Sequence, residues 1–99
     1  MMLLLFQNYN MEIKKVKYIK DYIIEISWEN GDNKQYDFKN WLFSDINPMY
    51  YKFRKISNFQ KVKPYGFMVV FGNDEMEFPD RDLKHFEIKT PRKASNSVA

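Results

Sequence analysis

The stretch "IIEISWENGDNKQYDF", residues 23–38, decides the fold. Ile24, Ile26 and Trp28 alternate with Ile23, Glu25 and Ser27, and a period of two marks a strand with one buried face. Lys34 to Phe38 alternates in the same way, with Tyr36 and Phe38 as its apolar set. Asn30-Gly31 lies between the two runs. Both residues tolerate positive φ, so the pair signals a tight antiparallel hairpin. The acids and amides of Glu29-Asn30-Gly31-Asp32-Asn33 are turn residues. They lack the Asp-x-Asp/Asn-x-Asp/Asn-Gly spacing of a calcium loop.

Outward from the hairpin, "IKKVKYIK" (13–20) mixes β-branched and aromatic residues with lysine and reads as a preceding strand, with Asp21-Tyr22 as its turn. Downstream, "KNWLFSD" reads as a short helix capped by Asp37 or Asn40, with Trp41, Leu42 and Phe43 packed down. Asn47-Pro48 ends it, because a residue before proline avoids helical geometry. "MYYKFRKI" reads as a second helix, and α-helical spacing turns Met49, Phe53 and Ile56 inward. "FQKVK" (59–63) alternates weakly before a turn at Pro64-Tyr65-Gly66. "FMVVF" (67–71) is a buried strand, "GNDE" a second hairpin turn and "MEF" the return strand. Pro79 and the following acids suit the start of a last helix, which Leu83 and Phe86 anchor.

The expected fold is therefore α+β: a small antiparallel sheet of about five strands in two hairpins, with two or three short helices on one side. A single domain spans residues 11–88, and the polar tail from 89 to 99 reads as disordered. Residues 1–10 form an N-terminal extension, either a non-native start before Met11 or an extra edge strand.

Nine Phe, seven Tyr and two Trp in 99 residues supply core volume from few positions. The absence of cysteine excludes disulfides and thiolate chemistry, and the chain reads as cytoplasmic. "MMLLLF" is far too short to span a bilayer, which takes about twenty apolar residues. The net charge of +3 is unevenly placed. Residues 1–65 carry eleven Lys/Arg against seven Asp/Glu, whereas residues 66–88 carry two against six. Such polarity orients partners.

Several of these parts resemble a family of short bacterial domains catalogued as domain of unknown function 2442. The lysine-rich strand and aromatic–Glu–Asn–Gly hairpin in "KKVKYIKDYIIEISWENGDNKQYDFKNWLF" carry the likeness, together with the closing "FMVVFGNDEMEFPDRDL". It covers about residues 12–86. Phe71, Gly72 and Glu77 stand where that family commonly has Trp, Pro and Asp. The resemblance implies a regulatory or partner-binding module, in a family whose members accompany helix-turn-helix domains or toxin-like neighbours. It implies no reaction and no cofactor.

Nothing in the sequence forms a nucleophile–base motif, and the single histidine, His85, reads as a residue on the last helix. The expected function is non-enzymatic protein binding or self-association. The apolar Leu3, Leu4, Leu5 and Phe6 would add to a partner by strand pairing, and Asp74, Glu75 and Glu77 would supply an acidic contact. The alternative is nucleic acid. Lys52, Arg54, Lys55, Lys61 and Lys63 interleave with Tyr50, Tyr51, Phe53 and Phe59, a pattern that tracks a single strand by phosphate contact and stacking. No metal or other cofactor and no small-molecule substrate is expected.

Overall fold

The computed structural model describes residues 11–89. Leu3, Leu4, Leu5 and Phe6, and all of the tail beyond Lys89, lie outside them. The chain runs β1 (Ile13–Lys20), β2 (Ile23–Trp28), β3 (Asn33–Asp37), α1 (Lys39–Leu42), a 3-10 helix (Pro48–Arg54) and α2 (Ile56–Phe59). It continues with β4 (Val62–Tyr65), β5 (Met68–Phe71), β6 (Met76–Pro79), α3 (Asp80–Leu83) and a closing 3-10 turn (Lys84–Phe86). The α+β class is as read from the sequence. The described residues hold six strands, divided between two three-stranded antiparallel sheets, β1-β2-β3 and β4-β5-β6.

The opening hairpin keeps the predicted faces. Ile24, Ile26, Trp28, Tyr36 and Phe38 are all buried. The register pairs Ile24 with Tyr36 and Ser27 with Asn33. The turn is longer than an Asn-Gly pair alone would make it. The Trp28 N–H donates to Asp32 O at 2.8 Å, and the Gly31 N–H to Trp28 O at 2.9 Å. Gly31 takes the positive φ of 96° and Asn30 does not. The Asn30 side chain instead accepts the Asp32 N–H at 3.0 Å. The loop's polar groups thus satisfy the loop itself.

Two contacts join the layers. The Ile13 N–H donates to Gly66 O at 2.9 Å, which ties β1 to the β4–β5 turn. At the other edge, Tyr36 bridges to Glu87, and the Ile88 N–H donates to Gln35 O at 2.9 Å. The chain end thereby covers part of the edge of β3, which would otherwise present unpaired backbone groups. β1 carries register shifts at Ile13/Lys15 and Tyr18/Lys20, and its exposed lysines discourage further pairing.

The core is built from rings. Phe38 is fully buried and meets Phe59, Phe71, Phe78 and Phe86, with the Phe86 ring stacked at a centroid distance of 4.3 Å. Phe38 is the residue before α1, so the chain drives it inward as it leaves the sheet. Asp37, beside it, accepts the Lys39 N–H at 2.9 Å, but the N-cap position is Phe38, which makes no side-chain cap, so neither Asp37 nor Asn40 caps the helix as expected.

The segment 48–65 departs from the sequence reading. Residues 48–54 form a 3-10 helix with three residues per turn, so positions i and i+3 share a face. Phe53 and Tyr50 turn inward, and Met49 is 59% exposed instead of joining the core. Asn47 and Pro48 set this start: the Asn47 side chain accepts the Met49 N–H at 3.0 Å. Phe43 also stays out, at 51% exposure, because α1 ends at Leu42. Phe59 closes α2 and does not open a strand. Pro64 and Tyr65 belong to β4, and the turn falls at Gly66, with φ of 64°. The proline is tolerated because β4 borders its sheet.

Candidate partner-binding site

Exposed rings gather around Arg54. The same three-residue repeat that turns Phe53 inward puts Tyr51 and Arg54 on one face. The Arg54 guanidinium lies 4.0 Å from the Tyr51 ring centroid and 5.2 Å from that of Phe43. Its Nε donates to Leu42 O at 2.7 Å, and its Nη2 to Ser44 O at 3.0 Å. Leu42 ends α1, where helix carbonyls lack intrahelical donors, and Ser44 follows just beyond its cap. The Tyr22 hydroxyl donates to Arg54 O, and the Tyr22 ring packs edge-on to Phe43 at 5.3 Å. Arg54 is therefore held at both ends. Phe43 and Tyr51, 51% and 43% exposed, flank it.

The basic residues of the nucleic-acid reading divide. Lys52, Lys61 and Lys63 line one shallow depression of about 550 Å³ together with Gly72, Asn73 and Glu75. Arg54 is spent on backbone carbonyls, and Lys55 is exposed outside that depression. Of the four interleaved rings, Phe53 and Phe59 are buried, Tyr50 is half-buried and Tyr51 is exposed beneath Arg54. The acidic residues divide as well. The Glu75 carboxylate takes a hydrogen bond from the Lys52 ammonium, which holds its pKa below the usual carboxylate value. Asp74, with φ of 60°, sits exposed in the hairpin turn. Glu77 stands outward on β6, cross-strand from Val70. Among the described residues no group of three or more His, Cys, Asp or Glu is placed to hold a metal ion.

Gly72 makes the Glu75 placement sterically feasible. Its φ is +66°, and a Cβ there would meet Glu75 Oε1 at 2.4 Å and Phe53 Cζ at 3.2 Å. The carboxylate can swing away, but the buried Phe53 ring cannot move far. Gly72→Ala is expected to cost about 1–2 kcal/mol, mostly from the left-handed backbone. Repeating it in a Glu75→Ala background checks this by urea denaturation. The cost should persist, and its disappearance would assign it to the carboxylate instead.

A separate cleft of about 490 Å³ opens where the β2–β3 hairpin passes α3. Met11, Trp28 and Tyr36 line it, with Lys34, Arg81 and Lys84 opposite Asp32, Asp80 and Glu87 in sign. Trp28 Nε1 donates to the Tyr36 hydroxyl oxygen at 3.1 Å. Burial pushes the Tyr36 pKa up to about 12, partly offset by the Trp28 hydrogen bond and reinforced by Glu87 and Asp32. Asp80 accepts the Met11 N–H at 2.8 Å. His85 lies elsewhere, exposed on the closing turn near Trp41 and Asp82.

The sequence reading did not single out either the Arg54 surface or this cleft. An asparagine-proline start followed by a dense aromatic run is the signal for a 3-10 turn that would have exposed the first. The second joins residues more than fifty positions apart, which no local pattern encodes. No helix of the described residues is long and apolar enough to cross a membrane. No family model, curated protein or solved structure matches the chain, so its likeness to the unknown-function family stands on the quoted residues alone.

Proposed function

We propose that the chain is a non-enzymatic binding module of the cytoplasm that docks another protein or a second copy of itself through the Arg54 surface. The observation that carries this reading is the pair of exposed rings, Phe43 and Tyr51, against a guanidinium already fixed by two backbone carbonyls. Aromatic residues, methionine and arginine are the types enriched at protein interfaces. An arginine held in place before binding loses little side-chain freedom on docking. The family resemblance and the uneven charge support the same reading.

Light scattering across a concentration series tests the self-association form. The full chain is expected to associate, and the double substitution Phe43→Ala with Tyr51→Ala is expected to weaken it about tenfold or more, as loss of central aromatic anchors does. A photo-crosslinker at position 51 tests the heterologous form in the native host, with position 20 as a control on the far edge of β1. Monomer at every concentration, with no adduct specific to position 51, would refute the reading.

A second reading, nucleic-acid binding, is favoured by the convergence of Lys52, Lys61 and Lys63 on one depression. Glu75 sits among them as a built-in competitor for phosphate. Glu75→Gln should therefore tighten binding of a fluorescent single strand at low salt, with a steep loss on adding salt. Flat anisotropy for both proteins would remove this alternative.

A further inference from the structure

The geometry points to a ligand site in the cleft between the β2–β3 hairpin and α3: it takes a small carboxylate with a flat apolar body. The body would rest on Trp28 and Met11, and the carboxylate would accept from the Tyr36 hydroxyl and from Lys84. This site is distinct from the Arg54 surface and does not depend on the reading given to that surface.

The starting point is an unpaired donor. Tyr36 is 2% exposed. Its oxygen accepts from Trp28 Nε1, but among the described residues nothing accepts its proton. Tyr36 and the indole that donates to its hydroxyl both line the cleft, which places the hydroxyl end beside it. Buried donors are nearly always paired. An acceptor entering the cleft completes this one.

The rim decides the charge of that acceptor. By formal count it is balanced, with three cations and three acids. The acids are already engaged. Asp80 holds the Met11 N–H, Asp32 takes the Asn30 amide at 3.2 Å, and Glu87 lies 3.9 Å from Lys34. Arg81 reaches only Asp82, outside the cleft, at 4.0 Å. Lys84 has no ion pair among the described residues. The groups without a partner in the cleft are donors: the hydroxyl proton, Arg81 and Lys84, beside an aromatic floor. A carboxylate supplies the acceptor that these donors lack, and the charges of Asp32 and Glu87 keep its binding weak. The cleft volume suits a single ring and its substituent. Such a carboxylate has two sources, a free small acid or the C-terminal residue of a peptide.

Benzoate is the probe for the first source and N-acetylphenylalanine for the second. Benzamide and benzylamine are the neutral and cationic controls. The readout is the indole N–H resonance of Trp28 in the full chain, with Trp41, which does not line the cleft, as the internal reference. Benzoate is expected to shift Trp28 saturably, with a dissociation constant of about 1–10 mM, as for fragments of this size. Benzamide should bind more weakly and benzylamine not at all. Tyr36→Phe and Lys84→Ala should each weaken benzoate about fivefold. Lys84 is exposed, so its substitution leaves the fold intact even if Tyr36→Phe does not. Tighter binding of N-acetylphenylalanine than of benzoate assigns the site to peptide ends, and the reverse assigns it to free acids. The inference fails if Trp28 is unmoved by both acids, if benzylamine shifts it equally, or if Lys84→Ala leaves the affinity unchanged.

Discussion

Phe38→Ala is expected to cost about 3–5 kcal/mol, the usual range for removing a buried ring from a packed core. A domain of this size has only about 5–15 kcal/mol in total. The midpoint of thermal unfolding should therefore fall by at least about 15 °C, and the variant should be largely unfolded at modest urea. Phe38 is fully buried, and four other phenylalanines touch it. Those rings come from α2, β5, β6 and the closing turn, so one cavity loosens both sheets together. Phe38→Leu keeps much of the volume and should cost about 1–2 kcal/mol. Phe43→Ala is the control. That ring is half exposed, meeting Tyr22 edge-on and lying under the Arg54 guanidinium, and its loss should cost under about 1 kcal/mol. Circular dichroism under heat and urea measures all three. Equal losses for Phe38→Ala and Phe43→Ala would show that the ring cluster is not the core that joins the sheets.

The central place of Phe38 was half legible in the sequence. Period-two alternation identifies it as an inward residue of the third strand, and the structure ends that strand one residue earlier with the ring still inward. Alternation is a local property, so β2 and the faces of the hairpin follow from it directly, and β1 follows from its β-branched and aromatic composition. What alternation cannot give is which strands share a sheet. Here β1-β2-β3 and β4-β5-β6 pair separately and meet where the β4–β5 turn reaches Ile13, while Glu87 returns to Tyr36. Those contacts span about fifty residues each and leave no trace in spacing.

Residues 48–56 fail for a different reason. Apolar residues at 49, 53 and 56 fit the α-helical period, and those at 50 and 53 fit the 3-10 period equally well. The choice is made by the Asn47-Pro48 entry and by Arg54, whose hydrogen bonds to the end of α1 fix the rotation of the whole turn. The same choice that expels Met49 from the core brings Tyr51 under Arg54. Reading the wrong period therefore hid the candidate surface along with the error in the core.

Tyr36 gives the chain an alkaline liability that can be read separately from the rest of its titration. Its pKa is pushed up to about 12 by burial, against about 10 in an unfolded chain. Below pH 10 the phenol is neutral in both states, and its contribution to stability is constant. Above pH 10 the unfolded chain releases the proton and the folded one retains it. Stability must then fall as pH rises, by about 1.4 kcal/mol at pH 11, and the fall ends only above the folded value. Tyr36→Phe should remove this slope. At pH 8 the same substitution leaves the Trp28 indole N–H, itself nearly buried, without its acceptor, at a cost of about 1–3 kcal/mol. The wild-type advantage should therefore be largest near pH 8 and shrink between pH 10 and 12. Other tyrosines and the lysines titrate in both proteins, so the difference between the two urea midpoints isolates Tyr36. An advantage that stays constant across that window would mean that the phenol ionises in the folded protein as freely as in the unfolded chain, and that the floor of the cleft is wet.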